Sequence, residues 1–481
     1  MLNKPKDTQK NSTIKIPFDP EGNIFRWGPV PGKFLYMCTF VEVHYKQFPA
    51  TYGEQWSETL ELFRDGRIFW INDAADVEKA GEKVFVRYMI PRALREKIYA
   101  EWQDDVRAIT NIENQIDRLD LGRISDAELG EVWKNFNDAY IRFWTTGSIP
   151  ELANYGSVEY VRKQSQSLIP ENEINHVLEI LTTPERISFY QEEEVALSKA
   201  DDLDSHQKQF FWLKNSYGGT QVLPIEFFVE HKKELHENLE QKIKDKLFET
   251  KERKKNVQRQ YNLSSEIMQI ASAISYGIEW QDERKKYIFI ILHYIDLLVG
   301  EVAKRFLYDF EELHNLWHYQ IGDIIDGKDL HAELAKRARG FGVRFFHDCE
   351  DLYAEDVTTL WNLYGTEKGI ADATEVKGVV ASKGKGGIVR GEIHILLDPN
   401  KAETFLEGQI LVAPMTSPEY IFAMKKAIAV LTDTGGLTSH AAIVSRELGV
   451  PCIVGTKSAT KIFKDGDLVE IDPVAGIAKK I

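Results

Sequence analysis

Ala429-Val430-Leu431-Thr432-Asp433-Thr434-Gly435-Gly436-Leu437-Thr438-Ser439-His440-Ala441-Ala442-Ile443-Val444-Ser445-Arg446-Glu447-Leu448-Gly449-Val450-Pro451 decides how the C-terminal part of the chain folds. Ala429 to Leu431 is short, apolar and partly β-branched, which predicts a buried strand. Gly435-Gly436 is a turn that tolerates positive φ. Thr438 or Ser439 is a good N-cap for the helix that follows. That helix runs to about Leu448 and stops at Gly449, with Pro451 just beyond. Cys452-Ile453-Val454-Gly455 supplies the next strand. The unit is strand, glycine turn, helix, strand.

This reading puts His440 in the first turn of a helix. Free backbone N–H groups and the positive helix end there disfavour the imidazolium form. A neutral imidazole keeps a lone pair and can act as a nucleophile, phosphorus included. The same N–H groups, with the hydroxyl of Thr438 or Ser439, would then stabilise an anion on the ring. Ala441 and Ala442 leave room for a reactant to approach.

Working outward, short apolar strands and glycines extend over 377–481, as in Lys377-Gly378-Val379-Val380-Ala381 and Ile410-Leu411-Val412-Ala413. Upstream, 364–376 loses helical periodicity and is expected to be a hinge. From 91 to 363 the pattern is helical, with apolar positions at helical spacing over 92–116 and 126–144. Residues 227–262 form a charged amphipathic stretch, with Leu235, Leu239, Ile243 and Leu247 four residues apart. The segment 264–306 holds the most apolar helices. Residues 1–90 comprise a loose N-terminal arm and a small α+β unit. Its hairpin, over 58–71, turns at Asp65-Gly66 between two aromatic and β-branched runs. The expected fold class is multidomain α+β, mostly α-helical in its N-terminal and middle regions.

A net charge of −15 argues against nucleic acid and anionic membrane as partners. The three cysteines, Cys38, Cys349 and Cys452, have no CxxC spacing, which favours a reducing, cytoplasmic setting. Met1 to Thr13 is polar and Lys-rich, unlike a signal peptide. The apolar run over 287–299 is broken by His293 and Asp296 and is too short to span a bilayer. No membrane association is expected.

The residues from Gly435 to Pro451 resemble the signature of the mobile, swivelling domain of PEP-utilising enzymes. That group includes phosphoenolpyruvate synthase, pyruvate phosphate dikinase and rifampicin phosphotransferase. Gly378-Val379-Val380-Ala381-Ser382-Lys383-Gly384 resembles the opening strand of that domain, and Asp465-Gly466-Asp467-Leu468-Val469-Glu470-Ile471-Asp472 its closing hairpin. The resemblance implies a C-terminal β/β/α phosphohistidine domain over 377–481, with His440 as the phosphorylated residue. It implies that Thr438 and Ser439 assist, with Gly435 and Gly436 beside the phosphate. Arg446 either helps to hold phosphate or pairs with Glu447 on the helix surface.

The resemblance also sets expectations about what lies elsewhere. The dikinases charge their histidine on an ATP-grasp domain, and no such pattern and no G-x-x-x-x-G-K-[ST] loop is found in this sequence. No cofactor-binding motif is recognised, so ATP and Mg²⁺ are expected on a separate ATP-grasp phosphodonor subunit. His206-Gln207-Lys208-Gln209-Phe210-Phe211-Trp212-Leu213-Lys214-Asn215-Ser216-Tyr217-Gly218-Gly219-Thr220 resembles the middle, acceptor-receiving region of those proteins. On that reading His206, Trp212, Asn215 and Tyr217 line a pocket for a small-molecule acceptor; as plain structure, the aromatics are core. His314 and His318 lie four apart but lack a third ligand, so no metal site is expected. Two functions follow. One is a phosphotransferase component related to phosphoenolpyruvate synthase, carrying phosphate on His440. The other is a non-catalytic, phosphohistidine-controlled regulator or scaffold. A concave acceptor pocket within reach of His440 would separate them.

Overall fold

A computed structural model describes residues 16–235, 238–365, 373–437 and 439–481. The N-terminal arm through residue 15, the central part of the expected hinge (366–372) and Thr438 lie outside the described residues. The chain is multidomain α+β, with a helical centre and two sheets.

The first sheet is antiparallel, in the order β1-β3-β2-β4-β5. Its strands are β1 (Ile24–Pro31), β2 (Thr59–Arg64), β3 (Arg67–Asp73), β4 (Phe341–Phe345) and β5 (Cys349–Tyr353). β2 and β3 pair from Thr59↔Asn72 to Arg64↔Arg67. Asp65 and Gly66 both take positive φ (51° and 69°), as a two-residue hairpin turn matched to strand twist requires. β4 and β5 correct the all-helical reading of 91–363. Phe341, Val343 and Phe345 alternate with Gly342 and Arg344, a two-residue period only five residues long between helices. At Gly342 a Cβ would sit 2.8 Å from the Glu61 carbonyl oxygen, so the close approach to β2 requires glycine. Segments far apart in sequence therefore share one sheet.

The helical centre is built on three long helices, Arg92–Ile116, Asp126–Ser165 and Ser265–Phe306. Ser125 starts the second with a reciprocal capping box to Glu128. These helices bury Trp102, Trp144 and Trp280 at their contacts. The stretch 227–262 is two helices, Ile225–Glu234 and Leu239–Gln260, and the second packs on helices Glu171–Thr182 and Phe189–Lys199. Among the described residues no helix is long and apolar enough to cross a membrane.

The C-terminal sheet has the order β6-β13-β12-β8-β9-β10-β11-β7. Its strands are β6 (Glu375–Lys377), β7 (Val379–Lys383), β8 (Val389–Ile395), β9 (Ile410–Ala413), β10 (Ala429–Thr432), β11 (Pro451–Val454), β12 (Leu468–Asp472) and β13 (Ile477–Lys480). β8, β9, β10 and β11 run parallel, and the others pair antiparallel around them. β9 and β10 are buried throughout. Because they are parallel neighbours, the loops that follow them emerge on the same edge of the sheet.

Candidate functional site

His440 is the first residue of helix His440–Leu448, directly after β10 and its glycine turn. Ser439 is the N-cap; its hydroxyl accepts from the Ala442 N–H at 3.4 Å. Gly435 has φ 116°, and Gly449 closes the helix in the left-handed region. The loop after β9 brings Thr416 to the imidazole, with Oγ1 2.9 Å from Nδ1. With Nδ1 engaged, Nε2 is the ring nitrogen left to react. Desolvation, followed by the nearby Lys285 cation, holds the His440 pKa well below its ordinary value. Both effects favour the neutral form of the ring.

The Arg446 side chain is 7% exposed, so it is not a helix-surface residue. Its Nε donates to the Ala381 carbonyl at 2.9 Å, and Nη2 donates to the Leu437 carbonyl. It thus ties β7 and the segment leading into His440 to the helix. It also lies 3.8 Å from Glu179 of the helical centre. No ion pair joins it to Glu447 among the described residues.

His440 forms part of the wall of a cavity of about 190 Å³ between the C-terminal domain and the rest of the chain. Ile443, Val444 and Glu447 extend the same wall. The opposite side is aromatic: Trp27, Phe40, Trp70, Trp144, Tyr155 and Tyr217. Between the two, the Ser265–Phe306 helix contributes Gln281, Asp282, Arg284 and Lys285, and Ser188 and Tyr190 come from the start of the neighbouring helix. Arg284 is anchored, donating to the Gly147 carbonyl at 2.5 Å and to Glu151. Arg186 lies 3.5 Å from Glu279. Lys285 stands beside His440; burial lowers its pKa, and Glu419, Glu151 and Asp282 favour its charged form. Burial pushes the carboxyls of Asp282 and Glu447 up to about 7, each opposed by partners that favour ionisation.

Of the residues expected around an acceptor, Tyr217 lines this cavity and His206, Trp212 and Asn215 do not. His206 is buried with Nε2 2.9 Å from Glu193 Oε1. Trp212 is core, its indole N–H donating to the Gln209 carbonyl. Asn215 donates to the Phe289 carbonyl and accepts from the Gln221 N–H. Those polar groups are spent on holding the turn. His314 and His318 likewise pair with Asp296 and Glu42, at 2.8 and 2.6 Å. Sequence reasoning missed Thr416, Lys285 and Arg284. The two basic residues had a signal: the charged run 282–286 interrupts an otherwise apolar helix. Thr416 had none, because strand pairing alone brings it to the ring.

Several contacts seat the C-terminal domain. Lys246 donates to the Glu447 carbonyl at the end of the His440 helix, and Lys425 pairs with Glu194. The Phe422 ring meets Tyr190 and Phe227 edge-on at 6.1 and 6.0 Å.

The C-terminal unit is thus a parallel-centred α/β sheet with an imidazole at a helix N-terminus in the wall of a cavity. The C-terminal region is the mobile domain of PEP-utilising enzymes, and residues 405–476 match that family model. The probable phosphoenolpyruvate synthase of Pyrococcus abyssi is 46% identical over 126 residues, 26% of this chain and 15% of that protein. The phosphoenolpyruvate synthase of Pyrococcus furiosus is 50% identical over 105 residues, 22% of this chain and 12% of that protein. The uncharacterized phosphotransferase YvkC of Bacillus subtilis is 31% identical over 208 residues, 38% of this chain and 24% of that protein. The chain thus spans less than a quarter of the length of each of these relatives.

Proposed function

We propose that this protein is a PEP-utilising-type phosphotransferase component that carries a phosphoryl group on His440 Nε2 and delivers it to an acceptor in the adjoining cavity. The observation that carries this reading is a neutral imidazole in the wall of a cavity shared with the helical centre. Thr416 holds Nδ1 and so orients the ring. Lys285, beside His440, offsets charge on the phosphoryl group during transfer. The names of the relatives support phosphotransfer as the class of chemistry. The charging step is assigned to an ATP-grasp partner that holds ATP and Mg²⁺, reached when the C-terminal domain swings away. The cavity favours delivery to a bound acceptor over a purely regulatory role.

The test is incubation with β- or γ-labelled ATP, and separately with labelled PEP, with and without a candidate ATP-grasp protein. Acid-labile label is expected on the wild type and absent from His440→Ala. Label retained by the variant would assign the chemistry to another residue.

A further inference from the structure

From the shape and chemistry of the cavity we infer that the acceptor is a neutral, single-ring hydroxyl compound; the inference rests on the phosphotransfer reading and narrows it to a substrate class. Size comes first. A cavity of about 150 Å³ lined by apolar side chains holds one benzene. This one, at about 190 Å³, takes one ring with a substituent. The wall away from His440 comes next. Phe40, Trp70 and Trp144, at most 6% exposed, line the cavity there. Such a wall favours a flat apolar body over a small, strongly hydrated one.

Charge narrows the class further. Glu151 neutralises Arg284, and Glu279 faces Arg186, so neither guanidinium is spare for an acceptor carboxylate. Lys285 stands near His440, where the phosphoryl group needs it, and Glu419, Glu151 and Asp282 favour its charged form. An anionic acceptor would compete with the phosphoryl group for that ammonium. A neutral one leaves it free.

In the transfer step the acceptor oxygen forms the O–P bond as the P–Nε2 bond breaks. The bonding pair returns to the imidazole, and the hydroxyl proton passes to Nε2. The products are a neutral histidine and a phosphate monoester.

Titration calorimetry on the full chain, unphosphorylated, tests the binding half with phenol and cyclohexanol against pyruvate and glycerol. Saturable binding of the ring alcohols, at least tenfold tighter than the other two, is expected. Tyr217→Ala, which removes one ring of the aromatic wall, should weaken phenol binding about fivefold. His440→Asn should still bind phenol, so this arm does not depend on the carrier role. In the second arm, ring alcohols added to labelled protein should move label from His440 into an acid-stable phosphate ester. Binding with no label ever forming on His440 would remove the carrier reading and leave the ligand class standing. Labelled His440 with no binding or discharge by the ring alcohols, or with tighter binding of pyruvate or glycerol, overturns the inference.

Discussion

At the scale of single residues the site depends on how one imidazole is kept neutral and oriented. Thr416 Oγ1, 2.9 Å from Nδ1, fixes the ring so that Nε2 is free. Thr416→Val keeps the side-chain volume and removes the hydrogen bond. Labelling of His440 should slow by roughly fivefold, with melting temperature almost unchanged, and Thr416→Ser should restore the rate. Lys285 acts through charge. It is the second cause, after desolvation, of the depressed His440 pKa. Lys285→Met removes a repelling cation, so the His440 pKa rises and a larger fraction of the ring is protonated at a given acidic pH. The acid limb of the labelling rate should therefore move to higher pH. A pH–rate profile superimposable on that of the wild type would show that Lys285 does not set the state of the ring.

At the scale of elements, the His440 helix owes its placement to Arg446, which spans from the helix to the carbonyls of Ala381 in β7 and Leu437 before the helix. Arg446→Ala removes both charge-assisted bonds and should cost about 2 kcal/mol in unfolding free energy, read by denaturant titration. Arg446→Lys should recover little, because an ammonium cannot match the planar fork that reaches both carbonyls. This element also shows what a sequence reveals and what it hides. Ser439, His440 and Gly449 were legible because cap, first turn and stop are local rules of a helix. Asp65-Gly66 was legible for the same reason. β4 and β5 were not, since a five-residue strand is recognised by its partner, and β2 lies far away in the chain. The task of Arg446 was hidden as well: its spacing to Glu447 suggested a surface pair, whereas the fold turns it to two backbone carbonyls. Tyr217 reaches the cavity while Trp212, five residues earlier, is sealed in core. Composition does not distinguish those two fates; the hydrogen bonds of the turn do.

At the scale of the whole molecule, the seating of the C-terminal domain should respond to pH. Asp282 on the long helix and Glu447 on the His440 helix line one cavity from opposite sides. Desolvation raises both pKa values to about 7. Neighbouring carboxylates add to the shift: Glu447 and Glu192 act on Asp282, and Glu194 acts on Glu447. Lys285 opposes the shift at Asp282, and Lys246 and Arg446 oppose it at Glu447. A carboxyl whose pKa is raised in the seated state binds its proton more tightly there than after release. Seating is then strongest below the ordinary carboxylate range and weakens as pH rises through about 7. For each such group the ratio of seated to released molecules should fall about tenfold between pH 6 and pH 8. Small-angle X-ray scattering should record a larger radius of gyration at pH 8 than at pH 6. The double variant Asp282→Asn with Glu447→Gln should remain compact at both. If the wild type has the same radius at the two pH values, the facing carboxyls do not control release, and the aromatic contact of Phe422 with the Lys425–Glu194 pair holds the domain regardless of their charge.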